Sequence, residues 1–248
     1  MKPLDRTRQA GRLTLTEQLL DTLGQAIVTG EFDGRSFPTE AEISEQYATS
    51  RSVTREAVKM LTAKGMLTAR PRSGITAQAQ ERWSLLDPDV LRWMLERKFS
   101  YDLLRHFTEM RLGLEPAAAA LAAQHATPQA LRSIEQGLER MAAAERGDGD
   151  SLAADIAFHV SILEATGNPF YMQLDQLIST ALKISIRMTN RIKGHTASVP
   201  AHRRVYEAIR ARDPQRARAA MSSILSEVGE LISSQSDAER ARVKSRRK

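Results

Sequence analysis

The stretch that most constrains the fold is residues 38–78, PTEAEISEQYATSRSVTREAVKMLTAKGMLTARPRSGITAQ. Thr39 precedes a short helical run, and Glu42 stands three residues on, where its carboxylate reaches back to close a capping box. Ser50 opens a second helix whose apolar side is Val53, Ala57, Val58 and Leu61. Gly65 follows at the position where a helix end favours a left-handed residue. The period then changes from helix to strand. Met66 to Arg70 and Ile75 to Ala77 read as two short strands around a turn at Pro71–Gly74. Two short helices, a longer basic helix and a small hairpin in that order form a compact unit suited to lie on a polyanion.

Charge supports this. From Arg51 to Arg72 the chain carries six basic residues (Arg51, Arg55, Lys59, Lys64, Arg70, Arg72) against one acid, Glu56. The net charge of +6 carries less information, because the six basic residues from Arg240 to Lys248 account for all of it. Phosphate attraction acts over about one Debye length, roughly 10 Å, so the local cluster matters more than the total. Arg51 and Arg55 lie one turn apart on a single helix face, where an arginine fork can meet guanine O6 and N7. Ser50 and Ser52 with the helix-start amides suit phosphates. Arg70, Arg72 and the Ser73–Gly74 tip suit a wing lying on the DNA backbone or minor groove.

Along the rest of the chain, Leu19, Leu20, Leu23, Ile27 and Val28 form a helical stripe ahead of this head. From Asp87 to Ser236 nearly every segment has helical periodicity, broken near Pro128, Gly147, Gly167, Gly194–Pro200 and Pro214. The expected fold class is mainly α: an N-terminal winged helix-turn-helix and a C-terminal all-α bundle of six or seven helices. The expected divisions are an arm (1–13), the winged helix (14–78), a polar linker (79–86), the helical domain (87–236) and a basic tail (237–248). There are no cysteines, which excludes disulfides and thiolate metal sites. No apolar run is long enough to span a membrane, so a cytoplasmic protein is expected.

PTEAEISEQYATSRSVTREAVKMLTAKGMLTARPRSG resembles the N-terminal winged helix of the GntR superfamily of bacterial transcription regulators. The likeness rests on a Pro-Thr-Glu helix start, a Ser-Arg-x-x-x-Arg-Glu-Ala helix and a glycine at the strand entry. It implies that Ser50, Arg51, Ser52, Arg55 and Gly74 contact double-stranded operator DNA. Ala41 departs from the pattern, since several relatives carry an arginine there that also touches DNA.

In the second half, Asp155 and His159 stand at i and i+4 in DIAFH, on one helix face, and His202 opens HRRVYEAI. A carboxylate and imidazoles so placed could share a divalent cation, and polar groups from several helices of a bundle commonly converge on a ligand. Arg111 sits in a helix rich in Leu and Ala. Its two readings are a fork on the carboxylate of an anionic effector and an intrahelical pair with Glu115. Asn190 is a candidate for a hydroxyl contact or for a helix cap. His195 is a further loop candidate.

RLGLEPAAAALAA, DIAFHVSILEATGNPF and AHRRVYEAIRARDPQRARAAM, within residues 111–221, resemble the FCD-type ligand domain of the FadR branch of these regulators. Metal-binding members use one Asp and three His. Asp155, His159 and His202 match three of them, while Ile224 stands about six turns beyond His202, where the fourth is found. Two outcomes follow: a three-ligand, zinc-like metal site open to the effector, or a metal-free pocket in which the same groups bind hydroxyls. RWSLLDPDVLRWMLE resembles regulators of sugar-acid catabolism, galactonate-responsive repressors among them, which also lack the last histidine. Trp83 and Trp93 in that segment are read as packing residues between the two domains.

The expectation is therefore a homodimeric transcription regulator released from its operator by a small anionic effector such as an aldonate. Two rivals are a metal-dependent hydrolase built on Asp155, His159 and His202, and a purely architectural DNA-binding protein. The hydrolase lacks an evident general base or nucleophile. The architectural protein has no use for a second domain with converging polar groups.

Overall fold

The computed structural model of the chain describes residues 13–70, 74–97, 100–193 and 198–246, with side chains throughout except at 97, 184, 186–193 and 237–246. The chain forms two compact units, Met1–Phe99 and Ser100–Lys248.

In the first unit, α1 (Leu15–Val28), α2 (Glu40–Gln46) and α3 (Arg51–Ala63) precede a hairpin of β1 (Leu67–Arg70) and β2 (Gly74–Ala77). Capping sets the helix starts. Thr14 with Glu17 and Thr39 with Glu42 close reciprocal boxes, and Ser50 Oγ accepts from the Val53 amide. Leu19, Leu23, Ile43, Leu61 and Met66 are fully buried and form the core. The hairpin is antiparallel, with Leu67 opposite Ala77 and Arg70 opposite Gly74. Gly65 has φ +73°, and a Cβ there would lie 2.2 Å from the Arg82 carbonyl oxygen, so both conformation and space demand glycine.

The polar link contains a 3-10 turn at Gln80–Arg82 and leads into α4 (Pro88–Arg97). The helix α4, expected to open the helical domain, falls within the first unit in this division of the chain. The reason is side-chain packing on α1. Trp93 is fully buried, its ring occupies the space a Cβ on Gly24 would need, and its Nε1 donates to Asp21 at 2.7 Å. Arg92 donates to the same carboxylate at 2.6 Å. Lys64, at the end of α3, donates to Asp87 at 2.7 Å and Asp89 at 2.9 Å. Burial opposes charge on Lys64 and Asp89, yet the lysine is held above its ordinary range by the two aspartates. Asp89 is held below its own by Lys64 and Arg92. Trp83 also serves this unit, donating from Nε1 to the Gln78 carbonyl at 2.9 Å.

The second unit is all helix among the described residues: α5 (Tyr101–His125), α6 (Pro128–Glu145), α7 (Ser151–Ala165), the short α8 (Pro169–Met172), α9 (Asp175–Lys193), α10 (Val199–Arg210) and α11 (Pro214–Arg246). The long helices α5 and α11 run antiparallel. Ser236 reaches Asp102 at one end, Gly229 faces Thr108, and Arg212 donates to the Ala123 and Ala126 carbonyls at the other. A run of fully buried alanines (Ala118, Ala119, Ala122, Ala123) allows α5 to be approached closely. Gly137 does the same between α6 and α7, where a Cβ would lie 3.1 Å from the Phe158 Cα.

Gly65→Ala combines left-handed strain with a backbone collision, and should destabilise the first unit by about 2–3 kcal/mol. Gly34→Ala has the same sign of φ (+69°) and open space, so its cost should stay near 1 kcal/mol. Denaturant unfolding of the full chain checks the order; equal costs would remove the role given to the Arg82 carbonyl.

Candidate functional site

The exposed face of the first unit gathers the residues expected to meet DNA. Ser50, Arg51, Ser52 and Arg55 are all exposed at the start of α3, and Arg70 and Gly74 are exposed at the paired ends of the hairpin. Arg72 lies outside the described residues. Arg55 is held 3.5 Å from Glu40 on α2. A pair this exposed contributes little stability and yields readily to a phosphate or a base edge. The angle of α3 against α2 is fixed from behind, a feature sequence reading missed. Buried Thr54 shares hydrogen bonds with Ser44 at 2.8 Å and Thr49 at 3.0 Å, each hydroxyl serving as donor or acceptor.

The second unit buries a chain of ionisable groups contributed by three helices. Arg111 and Glu115 come from α5, Asp155 and His159 from α7, and His202 from α10. All five are at most 4% exposed. Arg111 Nε lies 2.5 Å from Glu115 Oε1 and Nη2 lies 3.2 Å from Oε2. Of the two readings for Arg111, this is the intrahelical pair. Glu115 Oε2 also meets His159 Nδ1 at 2.6 Å. His159 Nε2 lies 3.5 Å from Asp155 Oδ1, and His202 Nε2 lies 3.2 Å from the same oxygen. On its other side His202 Nδ1 is 2.8 Å from the Ser198 carbonyl.

Electrostatics explains how so many charges remain buried. Burial alone would raise the Glu115 carboxyl, but the charges of Arg111 and His159 hold it down at about 2. Burial would depress His159, and Glu115 and Asp155 together push it up to about 9. Asp155 is likewise held well below the ordinary carboxylate range, its desolvation outweighed by the two histidines. Signs therefore alternate along Arg111, Glu115, His159 and Asp155.

The arrangement has a chemical direction. An ionised Glu115 can only accept, so His159 Nδ1 carries hydrogen; the Ser198 carbonyl imposes the same on His202. Both rings thus turn Nε2 towards Asp155. Asp155 Oδ1 and His202 Nε2 are buried without a hydrogen-bond partner. Donor atoms of Asp155, His159 and His202 all lie within 4.8 Å of one another, as a divalent cation requires. The residues present therefore fit the metal implied by the FCD resemblance. Ile224 is half-buried, and the α5–α11 register sets it level with the Arg111–Glu115 turn, where it offers no donor. The side chain of Asn190 and His195 lie outside the described residues.

Sequence reading named Glu115 only as a partner for Arg111 and missed its bond to His159. The available signal was an acid four residues after an arginine in an otherwise apolar helix. The Ser198 carbonyl, a main-chain group, left no signal.

Arg51→Ala and Arg55→Ala should each lose about 1–3 kcal/mol of affinity for a duplex selected from a random library by the wild-type protein. Fluorescence anisotropy measures this, and wild-type affinity in both would remove α3 as the reading helix. Arg111→Ala leaves Glu115 with one partner fewer in a buried site, and should cost about 3–5 kcal/mol of stability. Replacing the pair together, as Arg111→Met with Glu115→Leu, should cost much less. Equal losses in denaturant unfolding would contradict the pairing.

Comparison with known proteins agrees with both halves. Residues 15–76 match the family of bacterial regulatory proteins, gntR family, and residues 106–227 match the FCD domain. The galactonate operon transcriptional repressor of Escherichia coli K12 is 34% identical over 88% of this chain and 97% of its own length. YieP, an HTH-type transcriptional regulator of uncharacterized role from the same organism, is 36% identical over 68% of this chain and 74% of its own. A solved structure of Lar, described as controlling the Listeria monocytogenes agr system, shares the fold with TM-score 0.58 at 19% identity, covering 89% of this chain and 97% of that one. The relatives are transcription regulators, which sets aside the hydrolase. With a DNA-reading winged helix joined to a bundle that converges buried donors, the chain belongs to the GntR family of transcription regulators, in its FCD-bearing form.

Proposed function

We propose that this regulator is a repressor released from its operator by a small sugar acid, an aldonate such as galactonate, that binds in the second unit. The observation that carries the reading is the convergence of Asp155 Oδ1, His159 Nε2 and His202 Nε2, two of them without hydrogen-bond partners. Buried orphan acceptors are costly unless something completes them. Asp155, His159 and His202 would hold a divalent, zinc-like cation. Such a cation supplies positive charge to carboxylate and hydroxyl oxygens. Ile224 leaves the protein's donor set at three, so the effector or water completes it. The likeness to a galactonate operon repressor over nearly the whole chain supports an aldonate.

The charge on the effector has to be met by something. Arg111 already has Glu115 on its Nε and Nη2 atoms, so the cation is the better partner for an incoming carboxylate. Regulation follows if the chain acts as a homodimer presenting two copies of α3 to a pseudo-palindrome. The effector must prefer one arrangement of the reading heads, because a ligand that binds both arrangements equally shifts nothing.

A thermal-shift screen against aldonates and other hydroxy acids, with zinc or with chelator, tests the reading. Galactonate with zinc should raise the melting temperature by several degrees at saturating ligand, by mass action on the folded state. A rise unchanged by chelator would leave the metal-free pocket in place of the cation. No rise with any sugar acid would contradict the effector assignment.

A further inference from the structure

The cation reading above names the donors and leaves open what holds them in place; the inference here rests on that reading. We infer that Glu115 is a positioning residue of the site, holding the His159 ring by its Nδ1–H so that Nε2 is the atom a cation would meet, and that Arg111 serves Glu115 instead of gripping the effector. Three observations carry this. Glu115 Oε2 lies 2.6 Å from His159 Nδ1, the ring nitrogen facing away from Asp155. Glu115 is fully enclosed and can hold its charge there only with a cation beside it, which Arg111 supplies through two contacts. The second histidine is held the same way by a different device, its Nδ1 against the Ser198 carbonyl at 2.8 Å.

The two tethers differ in kind. A main-chain carbonyl cannot be lost by substitution, whereas the Glu115 tether depends on two side chains one turn apart on α5. Hydrogen-bonding the outer nitrogen of a ligating imidazole fixes its orientation and makes the inner nitrogen a better donor. With three protein donors instead of four, orientation of each one matters more. The site thus extends from the donors on α7 and α10 onto α5. Because α5 packs along α11, which carries Ile224, ordering of the site is tied to the longest helix pair of the unit.

The test uses the full chain stripped of metal and titrated with Co(II), followed by its visible d–d absorption. Wild type should bind and develop a band. Glu115→Gln keeps an acceptor oxygen for His159 Nδ1 and should stay within a few-fold of wild type. The paired change Arg111→Met with Glu115→Leu removes the tether without stranding a charge, and should weaken Co(II) 10- to 100-fold, about the range for lost outer partners, with an altered band. Circular dichroism establishes that this variant is folded. Wild-type affinity and band in the folded double variant would overturn the proposal while sparing the cation reading. Failure of the wild type itself to take Co(II) would overturn both. If the double variant does not fold, long-range 1H–15N spectra of zinc-loaded wild type decide instead. A strongly downfield His159 Nδ1 proton, as a short bond to a carboxylate produces, supports the tether, and an Nδ1 proton at the shift of a ring without such an acceptor overturns it.

Discussion

Five polar side chains, buried and joined end to end, sit inside the second unit where most cores hold only apolar groups. Arg111, Glu115, His159 and Asp155 alternate in sign, and His202 closes the row against Asp155. Each charge is tolerable only because its neighbour is present. The row also ties three helices together, α5, α7 and α10, and at its end Asp155 Oδ1 and His202 Nε2 stand 3.2 Å apart without a well-formed hydrogen bond. On the proposed reading, stability and recognition draw on the same groups. On that reading, a cation would sit between Asp155, His159 and His202, whose donor atoms lie within 4.8 Å of one another.

The first unit follows a different logic. Its reading surface is exposed and loosely paired, and its precision comes from groups behind it. Reciprocal caps start α1 and α2, a serine cap starts α3, and the Ser44–Thr54–Thr49 hydroxyls fix α3 against α2. Lys64 joins the end of α3 to the start of α4 through Asp87 and Asp89, while Arg92 and Trp93 join α4 to Asp21 of α1. The result is that α4 belongs to the reading head.

Much of this was legible in the sequence because short-range rules decide it. The Thr39–Glu42 box, the Ser50 start, the Gly65 stop and the period change to the hairpin are local, and the structure has each of them. The pairing of Asp155 and His159 on one face is equally local. What was not legible depends on contacts between distant segments. The placement of α4 rests on Trp93 meeting Gly24, 69 positions apart in the chain, and polar composition alone made residues 79–86 look like a free link. Arg111 had a local reading and a long-range reading; the local pair with Glu115 formed, and the long-range contact came through Glu115 to His159.

The central claim is that Asp155, His159 and His202 share a cation on which an anionic effector completes the site. Anomalous diffraction at the zinc edge, from crystals grown with zinc and galactonate, tests it most directly. The account predicts one anomalous peak bonded to Asp155 Oδ1 and both Nε2 atoms, with carboxylate density touching it and Arg111 still on Glu115. Galactonate bound with its carboxylate on Arg111 and no peak among the three donors would contradict it.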